Sequence, residues 1–194
     1  MIVKNNILEE LIKSIGDETI EVVDLSQTLS ENTPVIQLPE PLARTAGFKL
    51  KQLSKYDEKG PTSYWNDFVA GEHCGTHFDA PIHWISGRDN DSVDRIPLKN
   101  MIGQAYVIDI SQEAKQNPDY CLTVKDIQLF EERNGSIKEH SWVLIRSGWS
   151  NYVSDHEKFY NIGQDGQPHT PGITKEASIF LAEERDILGL GVET

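Results

Sequence analysis

"GEHCGTHFDAPIHWISG", residues 71–87, decides how the rest of this chain is read. Half of the six histidines, His73, His77 and His83, fall within eleven residues there, with Asp79 among them. Gly75 and Thr76 interrupt any helix between His73 and His77, and Gly75 lets the backbone fold back on itself. From His77 onward the pattern has a period of two: His77, Asp79, Pro81, His83. In an extended segment those side chains share a face, with neighbours about 6–7 Å apart along the backbone. His73, His77 and Asp79 are then three candidate metal ligands. Two imidazoles and a carboxylate suit Zn²⁺, Mn²⁺ or Fe²⁺ better than Ca²⁺ or Mg²⁺, which prefer oxygen. Three protein ligands leave a position for water, as catalytic sites require. His83, four residues past Asp79, is placed to reach that water or a substrate, and suits a general base or proton shuttle. The competing reading is a polar loop rich in histidine, since a lone HxxxH or HxD is a weak signal. Cys74 is either a soft fourth ligand or a buried, inert thiol; in an extended backbone it points away from its neighbours.

Composition frames this site. The chain has 194 residues, enough for one domain, and 38% of them are hydrophobic and 25% charged, which excludes general disorder. A net charge of −13 with no dense Lys/Arg stripe argues against nucleic acid or an anionic membrane as partner. Nothing approaches the run of about 18 apolar residues of a membrane span. The N-terminus has no uninterrupted apolar core of a signal peptide. The two cysteines, Cys74 and Cys121, make no disulfide framework. A cytoplasmic location is the expectation.

Outward from the motif, the apolar spacing of residues 5–15 predicts a helix capped by Asn5 or Asn6. Residues 19–25, "TIEVVDL", read as a strand, and the proline-rich stretch that follows as a long irregular segment of the kind that walls a pocket. Residues 48–56 and 62–73 alternate and predict a strand pair. "AYVIDI" (105–110) and "SWVLIRSG" (141–148) read as buried strands. Residues 123–135 predict a helix between a Thr cap and a terminal Gly, and residues 174–186 an amphipathic helix. "ILGLGVET" reads as the start of one more strand. Strands alternating with helices give an α/β or α+β class, in a single domain over 1–194.

Written with its fixed positions, His73-x-Gly75-Thr76-His77-x-Asp79-x-Pro81-x-His83 resembles the HxGTHxDxPxH signature of the metal-dependent cyclase family, at all seven positions. That family includes bacterial kynurenine formamidases and isatin hydrolases. "VVDLSQTLSENTPV", "WVLIRSGWS" and the late "HTPGITKEASIFLAEERDILGLGVET" resemble family segments too, so the likeness covers nearly the whole chain. It implies an α/β fold of the swivelling β/α/β type with a mixed central sheet. It implies hydrolysis of an amide with a divalent metal, Zn²⁺ in formamidases and Mn²⁺ in isatin hydrolases. The family's ligands fall on His73, His77 and Asp79, and its catalytic histidine on His83. "HFDAPIHW", with Trp84, and the ending "GVET" look closer to the isatin hydrolase branch. Family members continue past the position of Thr194, so the resemblance also implies that C-terminal strands are missing here, along with a later His and Glu found in dizinc members.

The expected activity is therefore opening of a small cyclic or aryl amide, isatin-like or N-formylkynurenine-like, in a homodimer. Trp65, Phe68, Trp84 and Trp149 are candidate walls for a planar substrate, with Phe48 a further one. Ser147 and Arg146 are placed to hold a carboxylate or carbonyl, or to serve structure alone. His169 is either at the pocket rim or merely exposed; His140 and His156 read as surface residues, and Glu72 as a ligand-orienting or solvent-facing group. Two other readings compete. His77-x-Asp79 with a distal His also satisfies the two-His-one-carboxylate rule of non-haem Fe(II) oxygenases. An inactive, truncated metal-binding module is the third.

Overall fold

The computed structural model describes residues 6–194. Its elements are α1 (Ile7–Gly16), β1 (Lys49–Asp57), β2 (Gly60–Val69), β3 (Ala105–Asp109), α2 (Ser111–Gln116), β4 (Cys121–Leu122), α3 (Val124–Asn134), β5 (Trp142–Arg146), α4 (His156–Tyr160), β6 (Gly172–Ile173), α5 (Lys175–Ile179) and β7 (Gly189–Gly191). Helices, parallel strands and antiparallel strands all occur, as expected of the α/β class. The two pairing modes lie in separate sheets.

The core is built on a three-stranded parallel sheet in the order β3-β5-β7. Ala105 pairs with Trp142 and Asp109 with Arg146; Trp142 then pairs with Gly189 and Leu144 with Gly191. Parallel neighbours need crossovers, and α2 with α3, then α4 with α5, supply them. One face of the sheet meets these helices. Ile108, Val143 and Ile145 pack there with Leu122, Ile127, Ala177 and Leu181. Alternation sends Trp142 and Leu144 to the opposite face. Trp142 lies across Gly189, whose added Cβ would sit 2.4 Å from the indole ring. β3, predicted as buried, is a sheet edge: Ile108 is buried but Val107 is half exposed.

α3 follows its sequence signals closely. The Thr123 hydroxyl accepts from the Asp126 N–H, and the Asp126 carboxylate accepts from the Thr123 N–H and hydroxyl, closing a capping box. Gly135 ends the helix at φ 85°. Thr123→Ala is expected to cost about 1 kcal/mol, measured as a lower chemical-denaturation midpoint with an unchanged m-value. At the other end of α3, Glu131 takes a two-pronged ion pair from Arg185 at 2.7 and 2.8 Å, with the Arg185 guanidinium over the Phe180 ring. The hydrogen bonds from Arg185 hold the Glu131 carboxyl below its ordinary range. The predicted helix over 174–186 starts on its Thr174 cap as α5, then widens into a π turn, Phe180–Glu184. α2 and α4, both short, carry no pattern long enough to read.

The N-terminal half is more open. β1 and β2 form a separate antiparallel ribbon, with register shifts between Gln52 and Ser54 and between Lys55 and Asp57. The expected strand over 19–25 does not form. Val22, Val23 and Leu25 are 60–75% exposed, and β-branched residues without a ladder partner have nothing to hold them extended. α1 forms as predicted, with Asn6 at the cap position but no side-chain cap bond, and its apolar stripe is exposed. The accessible surface is 15021 Å². A compact monomer of 21.9 kDa is expected to expose about 9,000 Å². No helix among the described residues is long and apolar enough to cross a membrane.

Candidate metal centre

The loop between β2 and the first 3-10 turn carries the site. Gly75 sits at φ 65°, a left-handed conformation that reverses the chain between His73 and His77. The segment beyond is not the extended face that a period of two predicts. Pro81–His83 is a 3-10 turn, with the His83 N–H bonded to the Ala80 carbonyl. A second turn, Ile85–Gly87, brings Gly87 so close to the Pro81 carbonyl that a Cβ would lie 2.0 Å from it. Tight turns, not a strand, gather the four residues.

They are gathered closely. His73 Nδ1 lies 2.8 Å from Asp79 Oδ1 and 3.3 Å from His77 Nε2, and His77 Nε2 lies 3.5 Å from Asp79 Oδ1. Donor atoms about 2.1 Å from a tetrahedral cation would stand about 3.4 Å apart. Two edges of this triangle match that spacing, and the third is the length of a direct hydrogen bond. His77 Nδ1 faces the Gly75 carbonyl at 2.8 Å. Donating a proton there leaves Nε2 with its lone pair toward the triangle, the usual arrangement for a ligating histidine. The donor set therefore fits a divalent transition metal. His83 joins the same cluster: its ring centroid is 4.2 Å from that of His73, and its ligand atom lies within 4.8 Å of those of His73 and Asp79. Cys74 is buried. Glu72 is exposed.

The aromatic candidates are spread out. Trp84 packs edge-on against His83, centroids 4.7 Å apart, and is otherwise exposed. Trp65 and Phe68 are exposed on β2, and their odd separation sends them to opposite faces of the ribbon. Phe68 stacks with Phe48. Trp149 is buried, with its indole N–H donated to the Phe159 carbonyl at 2.9 Å. Phe78, inside the motif, packs edge-on against Trp142 on the sheet face away from the helices.

Other polar candidates are engaged within the chain. Arg146 pairs with Asp109 at 2.9 Å. Ser147 does hold a carboxylate, that of Glu193, which sequence reasoning missed. Glu193 accepts from the N–H groups of Ser147, Gly148 and Trp149 and from the hydroxyls of Ser147 and Ser150. His169 lies between Asp119 at 2.8 Å and Asp165 at 3.2 Å, and hydrogen bonds to these carboxylates raise its pKa. His140 is exposed beside Asp186. His156, read as a surface residue, bonds the Asn32 carbonyl.

Comparison with known proteins gives the chain its family and its structural relatives. The putative cyclase family matches residues 23–194. The isatin hydrolase of Roseibium aggregatum is 39% identical over 175 residues, covering 89% of this chain and 66% of that protein. The solved structure of isatin hydrolase A from Ralstonia solanacearum superposes with a TM-score of 0.95 at 46% identity, covering 100% of this chain and 74% of its own. An isatin hydrolase bound to the product analogue thioisatinate superposes at 0.93 with 36% identity, covering 98% of this chain and 73% of its own. The chain thus spans just under two thirds of the length of the curated relative.

Proposed function

This chain belongs to the putative cyclase family, and from that premise we propose that it is a metal-dependent hydrolase opening the amide bond of a small cyclic amide of the isatin type. The observation that carries the reading is the triangle of donor atoms from His73, His77 and Asp79, with His83 packed on its edge. These three residues would hold a divalent metal, Zn²⁺ or Mn²⁺. When bound, such an ion supplies Lewis-acid activation of water and of an amide carbonyl. His83 takes a proton from the attacking water and returns it to the leaving ring nitrogen. The C–N bond breaks as the C–O bond forms, leaving an amine and a carboxylate on one product. Trp84, beside His83, offers a flat surface for an aromatic substrate ring; Trp65 and Phe68 are further candidates from the ribbon.

We further propose that the protein works as a homodimer in the cytoplasm. The large exposed apolar surface of the N-terminal half supports association, with Leu50, Trp65, Phe68 and Ile85 all exposed. Both cysteines are free.

The test is hydrolysis of isatin and of N-formylkynurenine by protein stripped with a chelator and reloaded with Zn²⁺ or Mn²⁺. Isatin opening that disappears on stripping and returns on reloading is the expected result. Metal binding with no hydrolysis of either amide would instead make the chain a binding module. Oxygen uptake with Fe²⁺ would favour the oxygenase reading.

A further inference from the structure

Between β2 and Pro81 the metal loop is in neither helix nor strand, so its ligand geometry depends on what backs it. On one side the backing is an irregular strap, residues 27–35. The Gln27 N–H donates to the Thr76 hydroxyl at 2.9 Å. Leu29 lies against Gly75, 2.5 Å from where a Cβ would stand, and Thr33 lies 3.6 Å from the same point. The strap closes on itself, with the Thr33 N–H on the Ser30 carbonyl and the Ser30 N–H on the Thr33 hydroxyl. Thr33 and Pro34 are buried.

The far end of the strap is fastened to α4. The Tyr160 hydroxyl donates to the Val35 carbonyl at 2.8 Å and accepts from the Val35 N–H at 3.0 Å, so one side chain satisfies both backbone groups of one residue. His156, one helical turn earlier on the same face, bonds the Asn32 carbonyl. α4 is itself held to the core, because the buried Trp149 donates to the Phe159 carbonyl. A continuous chain of contacts therefore runs from the core through α4 and the strap to Gly75 and Thr76, between the two histidines of the triangle.

We infer that Tyr160 and His156 are positioning residues for the metal loop, acting through residues 27–35. This rests on reading His73, His77 and Asp79 as ligands. Neither residue belongs to the triangle of donor atoms. Their part is to keep the strap seated behind Gly75, so that the reversal between His73 and His77 keeps one shape whether or not an ion is present. Groups that orient ligands without binding metal typically affect its affinity by 10–100-fold.

The test is calorimetric titration of Mn²⁺ and of Zn²⁺ into chelator-stripped protein. Tyr160→Phe keeps the ring and deletes both bonds to Val35; about tenfold weaker metal binding is expected. His156→Ala removes the second fastening and should weaken binding in the same direction. Tyr152→Phe removes a hydroxyl that makes no bond to the strap and should bind metal like the wild type. Melting of the metal-free proteins is recorded alongside, with all three variants expected close to the wild type. Unchanged affinity in both Tyr160→Phe and His156→Ala would overturn the inference while leaving the metal site standing. A loss in Tyr160→Phe that merely follows a lower melting temperature, and that Tyr152→Phe shares, would also overturn it. Failure of the wild type to bind either ion would overturn the ligand reading and this inference together.

Discussion

His83→Ala is expected to lower the rate of isatin hydrolysis by about 10²–10⁴-fold, the usual contribution of a general acid–base group, with the metal content of the purified protein unchanged. The geometry makes this a demanding test. Four side chains converge where three ligands are needed, and His83 lies within ligand distance of His73 and Asp79. His77 closes a triangle with those two residues at 2.8–3.5 Å, and its second nitrogen is already committed to the Gly75 carbonyl. That commitment suits a ligand, whereas the His83 ring stands on the edge of the cluster between His73 and Trp84. Kinetics and elemental analysis on the same preparation separate the roles. An inactive variant that keeps its metal confirms proton transfer, and one that loses its metal makes His83 a ligand.

Glu193→Ala is expected to destabilise the protein by about 1.5–3 kcal/mol at neutral pH, the range for hydrogen bonds to a charged partner, because it leaves several backbone N–H groups unpaired. The carboxylate ties β7 to the turn after β5, at a point where the chain changes direction through Gly148 at φ 75°. Partial burial acts to raise the Glu193 pKa, but the hydroxyls of Ser150 and Ser147 and the N–H groups of Ser147 and Gly148 together bring it below the ordinary value of 4.5. A depressed folded pKa means that this stabilisation is present above the unfolded value and is lost as pH falls through the folded one. Denaturant titrations should therefore show the wild type losing its advantage over Glu193→Ala only well into the acid range. A constant difference between the two proteins from neutral pH to pH 3 would contradict this role.

How much of this could be seen in the sequence depended on distance along the chain. α3 was legible because its cap, periodicity and terminal glycine lie within thirteen residues, and each acts locally. The strand expected over 19–25 failed because β propensity says nothing about whether a partner strand is available. The chemistry of the metal loop was legible in its residue types and in Gly75. Its shape was not, since a period of two is equally compatible with an extended face and with the 3-10 turn that forms at Pro81–His83. The family resemblance supplied the reaction class that spacing alone left open. The bonds from Tyr160 to Val35 and from Glu193 to Ser147 join residues 125 and 46 apart, and no local pattern announces either.

The Tyr160–Val35 fastening also sets an order of events during synthesis. His73, His77 and Asp79 emerge from the ribosome about eighty residues ahead of the helix that braces the strap behind them. At typical translation rates of about 5–20 residues per second that is an interval on the order of 4–16 s. Throughout it the histidines belong to a nascent chain whose loop has no fixed shape behind it. On the proposed ligand reading, the braced form of the metal loop is therefore available only once α4 has emerged, long after the ligands themselves.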